Sequence, residues 1–284
     1  MATMVGHTGL KLRMLVVGTI LFGFFLLIAS FVWAAWGDAG LIVFIVFGGL
    51  LYPLFLYKFG RWSAIRSVGA EDMPTEPTAR YRFDEIHRTT ERLCDEMGLD
   101  KPRLMVAEFG APNAFAVGRK KAGVVVISTE LIDLLDYDEL EGVIAHELAH
   151  IKNRDTVVMV MGQAIAAMVG WVVYIAIAFR GQRDIGTIIV AMIASTLAQL
   201  LVSVFLMAIS RYREYVADDD AAQYTRNPDA MARALEKISA GASGKEMRGE
   251  DNVSALCIFG EGGLAGLLST HPPTEKRIER LRTM

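Results

Sequence analysis

Val143–Asp155 reads VIAHELAHIKNRD and runs directly into a long apolar stretch. Residues four apart share one face of a helix, so His146 and His150 can offer their imidazole nitrogens to a single ion. Glu147, beside the first histidine, then stands where it can take a proton from water held at that ion. An HExxH also occurs by chance on ordinary helices, so the rest of the chain has to decide.

The third ligand sets the class. The long metzincin form needs glycine three residues and histidine six residues after the second histidine. Asn153 and Thr156 stand there instead. What remains is a downstream acid. Glu214, in SRYREYVADDD (Ser210–Asp220), is the best placed, and Asp218 follows one turn later on the same face. On their own these two read as surface acids in a run with Asp219 and Asp220. The chain between His150 and Glu214 changes that reading. It is two apolar runs, Thr156–Phe179 and Gly186–Ile209, joined by Arg180-Gly-Gln-Arg183-Asp184. A hairpin of two similar helices returns the chain to its starting side and brings Glu214 back towards His150. Glu214 then reads as a ligand, with Asp218 as a carboxylate able to hold a ligand histidine.

Two more apolar runs lie upstream. Met14–Trp33 is long enough for the roughly 20 residues of helix that cross a bilayer, and too long for the h-region of a signal peptide. Leu41–Tyr57 is shorter and contains Gly48, Gly49 and Pro53; Gly37-Asp-Ala-Gly40 makes it a hairpin with the first. These four runs explain why 53% of the 284 residues are hydrophobic. The expected fold class is therefore an α-helical integral membrane protein with four hydrophobic helices in two hairpins and an α+β zincin-like domain. Lys11 and Arg13 precede the first run, and Lys58, Arg61 and Arg66 follow the second. Basic residues on both flanks put them, and the soluble domain, on the cytoplasmic side. Arg180 and Arg183 run against this pattern, so the second hairpin either crosses the bilayer or lies against protein. The expected divisions are 1–60 and 156–210 for the hairpins, with 61–155 and 211–284 as the two halves of the soluble domain.

A net charge of -3 gives no general attraction to nucleic acid. The two cysteines, Cys94 and Cys257, lie in no metal-binding spacing and read as reduced thiols. In the soluble parts, Phe83, Ile86, Thr90, Leu93 and Met97 recur at helical spacing, with Gly98 as the cap and His87 on the solvent face. Residues 103–108, 113–118 and 123–128 read as strands. Asp136 and Glu139 have the spacing of a capping box that opens the HELAH helix. Gly241–Asn252 reads as a polar, mobile loop.

Taken together, the N-terminal hairpin, PNAFAVG (Pro112–Gly118), HELAHIKNRD (His146–Asp155), the second hairpin, SRYREYVAD (Ser210–Asp218) and HPPTEKRIERL (His271–Leu281) resemble the HtpX-type membrane zinc metalloproteases. These are gluzincins related to the CAAX prenyl endopeptidases. The resemblance implies one Zn2+ per chain on His146, His150 and Glu214, with Asp218 in support and Glu147 as general base. It implies His271 as an oxyanion donor with Arg277 close by, although Pro272, Pro273 and Thr274 equally make His271 a residue preceding a helix. It also implies a substrate edge at Asn113, Ala114 and Phe115, where an extended peptide backbone would pair as an added strand; an ordinary hairpin strand is the alternative. The implied substrates are damaged or misassembled membrane proteins in the cytoplasmic (inner) membrane, under protein quality control. Two rivals stand beside this. A prenyl-protein endopeptidase would use the same chemistry, but those relatives carry more spans. A transporter or holdase would place ionisable groups mid-membrane, and these spans hold only polar residues such as Gln163, Ser195 and Gln199. Histidine ligation predicts that metal affinity falls as pH drops through about 6.5.

Overall fold

The computed structural model describes residues 39–178, 184–242 and 272–284, with four isolated positions before residue 39. The chain divides into two compact units. One holds Gly60–Val157 and Ser210–Met284 and carries the sheet; the other holds Thr8–Phe59 and Val158–Ile209 and is hydrophobic. Apart from those four positions, the expected span Met14–Trp33 lies outside the described residues, as does most of the Gly241–Asn252 loop, from residue 243. So do Cys257 and His271.

In chain order the elements are α1 (Ala39–Ser67), β1 (Glu71–Asp72), α2 (Phe83–Met97), β2 (Arg103–Ala107), β3 (Ala114–Val117), β4 (Val124–Ser128) and α3 (Thr129–Leu134). Then come α4 (Tyr137–Asn153), α5 (Asp155–Ala178), α6 (Ile185–Thr225), α7 (Pro228–Ala242) and α8 (Thr274–Arg282). The expected strands and the helix over Phe83–Met97 are all present. Gly98 ends α2 in the left-handed conformation, with φ 66°, as the cap requires. His87 departs from expectation. It is half-buried, and Nε2 lies 3.3 Å from the Met73 carbonyl, so it ties α2 to the segment after β1 instead of facing solvent.

The sheet has the order β1-β2-β4-β3. β2 and β4 run parallel, while β3 returns antiparallel to β4 and pairs Ala114 with Ile127 and Val117 with Val124. β4 (VVVIS) is buried on both faces, which suits its unbroken β-branched run. Along β3 the faces alternate. Ala114 and Ala116 join the core that also holds Val143, Ile144 and Leu148 of α4, while Phe115 and Val117 pack in a second cluster with Phe109 and Ala64. Gly118 closes the strand at φ 128°, and a side chain there would run into the Ala122 carbonyl oxygen and stand 2.8 Å from Gly123 Cα.

α4 opens with the expected capping box, in which the Glu139 carboxylate accepts from the Asp136 backbone N–H at 2.9 Å. It lies tight against α7: a Cβ on Gly142 would stand 3.4 Å from Met231 Cα. Arg154, in the left-handed region at φ 58°, ends α4 and turns the chain into α5.

α5 and α6 are the two helices long and apolar enough to cross a membrane among the described residues. Ile189, Val190, Met192, Ile193, Leu197, Leu201 and Phe205 of α6 are all exposed, a surface that water would penalise and lipid accepts. α5 meets α6 through Gly162, Ala166 and Gly170, small residues at four-residue spacing. A Cβ on Gly162 would collide with the Leu206 side chain, and one on Gly170 with Gln199, so the helices approach through bare backbone. The helix runs without interruption through residue 210, where the two units divide. From Thr187 to Arg226 the chain has no glycine or proline, and one helix of 41 residues, about 60 Å long, carries the apolar run into the acidic one. It ends at Arg226, with φ 55°. Pro228 then opens α7, whose first turn is capped by Asn227 Oδ1 accepting from the Ala230 N–H at 3.1 Å.

Candidate metal centre

α4 supplies His146, Glu147 and His150, and the far part of α6 supplies Glu214 and Asp218. All five belong to the sheet-bearing unit. The two imidazoles stand edge to face, with ring centres 4.7 Å apart and their Nε2 atoms 3.1 Å apart. Glu214 reaches both: Oε2 lies 3.6 Å from His146 Nε2, and Oε1 lies 3.5 Å from His150 Nε2. One ligand atom from each of the three therefore falls within 4.8 Å of the others. Two neutral-capable nitrogens and one carboxylate converging on a point are the donor set of a catalytic zinc site, so these residues fit a metal ion. His146, Glu147 and Glu214 are each no more than 4% exposed.

Each imidazole turns its other nitrogen to a carboxylate. His146 Nδ1 lies 3.0 Å from Asp218, and His150 Nδ1 lies 2.6 Å from Asp155. Such partners leave the Nε2 atoms to face the ion. Asp218 is held in turn by Arg277 of α8, and Arg277 Nη1 also lies 3.2 Å from Glu214. Burial of His146 works against its protonation. Hydrogen bonds to Asp218 and Glu214 outweigh that and raise the imidazole from its ordinary 6.5 to about 9. Burial likewise opposes the charge on Arg277, but the carboxylates of Asp218, Glu214 and Glu147 reverse this and hold it firmly protonated.

Neighbouring pairs fix these helices to one another. Lys152 donates to the Tyr224 hydroxyl at 2.8 Å, and Asn153 to Asp220 at 3.2 Å, joining the end of α4 to α6. Arg280 donates to Asp219 at 2.7 Å and so seats α8 on α6. Asn113, Ala114 and Phe115 lie at and within β3, the edge of the described sheet. All three side chains are buried, with Asn113 Oδ1 accepting from the Ala114 N–H at 2.8 Å. Sequence reasoning brought together His146, His150, Glu214, Asp218 and Arg277, and the structure gathers the same five. It missed Asp155, which touches His150, and Arg213, whose Nε lies 2.8 Å from Asp155. The available signal was a carboxylate on the residue that follows the turn closing the HELAH helix.

The model for peptidase family M48 matches residues 80–284. The chain belongs to peptidase family M48. It is 46% identical to a protease HtpX homolog of Halobacterium salinarum, across 95% of this chain and all of that one. With a protease HtpX homolog of Pyrococcus abyssi it shares 39% identity over 78% of this chain and 77% of the relative. Its fold is similar to that of the crystal structure of S. mikatae Ste24p, with a TM-score of 0.59 at 17% identity; the chain covers 65% of that protein's length. This M48 member is thus an HtpX-type membrane metallopeptidase, mostly helical with a small sheet, and its substrates are peptides.

Proposed function

We propose that the chain is a zinc endopeptidase that hydrolyses damaged or misassembled membrane proteins from the cytoplasmic face of the inner membrane. The observation that carries this reading is the convergence of His146, His150 and Glu214 within 4.8 Å, from the two ends of one hydrophobic hairpin and beside Glu147. His146, His150 and Glu214 would hold the zinc. A zinc ion in such a set acts as a Lewis acid and brings the pKa of water down to about 7.

The chain's own groups do the rest. Asp218 orients the His146 imidazole. Glu147 accepts the proton of the attacking water and delivers it to the leaving amine, a transfer in which a positioned carboxylate contributes roughly 10²–10⁴-fold. Arg277 holds Asp218 in its ionised form and lies 3.2 Å from Glu214. His271, outside the described residues, completes the set as oxyanion donor. The strand β3, at Asn113, Ala114 and Phe115, takes the substrate backbone as an added strand. Because their side chains are buried, that strand reads backbone rather than side chains, which supports broad specificity. Met14–Trp33 and Leu41–Tyr57 form a first membrane hairpin and α5 with α6 a second, giving four spans, with 61–155 and 211–284 as the two halves of the catalytic domain.

The test is metal content and casein cleavage of the purified chain. One zinc per chain, cleavage lost to chelator, and zinc lost on Glu214→Ala are expected. Glu147→Gln should keep the zinc and lose turnover. A Glu214→Ala variant with full zinc, or a Glu147→Gln variant that cuts normally, would overturn the assignment.

A further inference from the structure

Asp155 and Arg213 lie outside the set of residues that the proposed chemistry uses, yet they end on it. Asp155 is the first residue of α5, placed by the left-handed turn at Arg154, and is 4% exposed. Its Oδ2 lies 2.6 Å from His150 Nδ1, and its Oδ1 lies 2.8 Å from Nε of Arg213 on α6, itself 4% exposed. A buried ion pair is a poor device for stability alone. Its desolvation cost often exceeds its attraction, and an apolar pair of similar volume would serve as well. This one continues into a hydrogen bond on a metal-facing imidazole, in the order Arg213, Asp155, His150.

We propose that Asp155 is a positioning residue for His150 and that Arg213 acts through it. The inference rests on His150 being a metal ligand. The carboxylate accepts the Nδ1–H hydrogen bond, which fixes the tautomer whose Nε2 lone pair faces His146 and Glu214 and strengthens that nitrogen as a donor. Arg213, 2.8 Å from the other carboxylate oxygen, keeps it aimed. A clamp that merely tied α5 to α6 would affect unfolding and leave metal affinity alone.

The experiment measures the zinc dissociation constant of the full chain in detergent micelles, by competition with a chromophoric chelator. The Co2+-substituted absorption spectrum gives a second view of ligand geometry. Asp155→Ala is expected to weaken zinc binding about 10–100-fold and to shift the Co2+ bands. Asp155→Asn, which keeps an acceptor oxygen, should fall between Ala and the parent, and it carries the test if the alanine variant does not fold. Arg213→Met should weaken binding in the parent background and add nothing in the Asp155→Asn background. Asp155 variants with parental zinc affinity and only a lower unfolding temperature would reduce the pair to a clamp and overturn the proposal. Effects of Arg213→Met and Asp155→Asn that simply multiply would overturn the role given to Arg213. Glu214→Ala, measured in parallel, separates the levels. If it too keeps parental affinity, the metal site itself is wrong; if it loses zinc while the Asp155 variants do not, only the inference fails.

Discussion

Arg277 grips Asp218 at two points, Nε to Oδ2 at 2.8 Å and Nη2 to Oδ1 at 2.7 Å, with both residues 1% exposed. The parallel geometry is one that a lysine ammonium does not reproduce. It makes the short C-terminal helix α8 part of the site, since the same guanidinium reaches Glu214. Arg277→Met would leave two buried carboxylates short of their counter-charge. The expected loss is about 3–5 kcal/mol of stability, the usual result of removing one partner from a buried pair. Arg277→Met combined with Asp218→Asn should lose less than the single variant. Chemical unfolding of the three proteins in micelles measures this; an Arg277→Met chain as stable as the parent would contradict it.

The raised imidazole of His146 gives a pH dependence with a definite sign. Its folded value, about 9, lies above its ordinary 6.5, so the proton stabilises the metal-free fold fully below pH 6.5. That contribution is lost as pH rises through about 9. Metal binding must displace the same proton, so its dependence is opposite. Zinc affinity should rise about tenfold per pH unit between 6.5 and 9, from this group alone. An unperturbed histidine would place the fall near pH 6.5; the carboxylates around His146 move it upward. Dissociation constants at pH 6.5, 7.5 and 8.5 decide between the two, and equal values across that range would exclude a protonated His146 in the metal-free chain.

Local patterns in the sequence were good guides to local structure. The apolar spacing of Phe83 to Met97, the β-branched run of β4 and the Asp136–Glu139 box each depend on a few neighbouring residues, and each forms as read. Glu214 was also readable, because two apolar runs of like length can do little but return the chain. Asp155 was not, for a physical reason. Helical spacing pairs residues three or four apart, and the left-handed Arg154 breaks that rule just where Asp155 folds back onto His150. Arg213 needed the packing of α6 on the start of α5, which no local pattern carries. His87 misled because a helix face that looks polar was covered by the Met73 segment, which lies outside that helix.

The glycines of α5 make a prediction about the hydrophobic unit. Gly162 faces Leu206, and any side chain there must push that residue aside. Gly162→Leu should cost about 1–3 kcal/mol through overpacking, and Gly162→Ala less, with a compensating gain when Leu206→Ala is added. Thermal unfolding in micelles reads all three. If Gly162→Leu were neutral, or Leu206→Ala failed to relieve it, the close approach of α5 and α6 at this point would be wrong.

The single glycine of PNAFAVG raises a separable question, because it stands at the end of the strand proposed to bind substrate. At φ 128° a side chain on Gly118 would be strained, and its Cβ would collide with the Ala122 carbonyl oxygen. The obstacle is backbone, which cannot swing away as a side-chain tip can. Gly118→Ala should therefore distort the β3–β4 turn and destabilise the chain by roughly 1–3 kcal/mol. Gly118 lies well along the chain from the three proposed ligands, so zinc content should stay at the parental level. If the β3 edge holds the peptide backbone, the variant should raise KM for casein while a zinc-loaded sample keeps most of its kcat. A parental KM in a measurably destabilised Gly118→Ala chain would show that the turn serves the fold and that substrate pairs elsewhere.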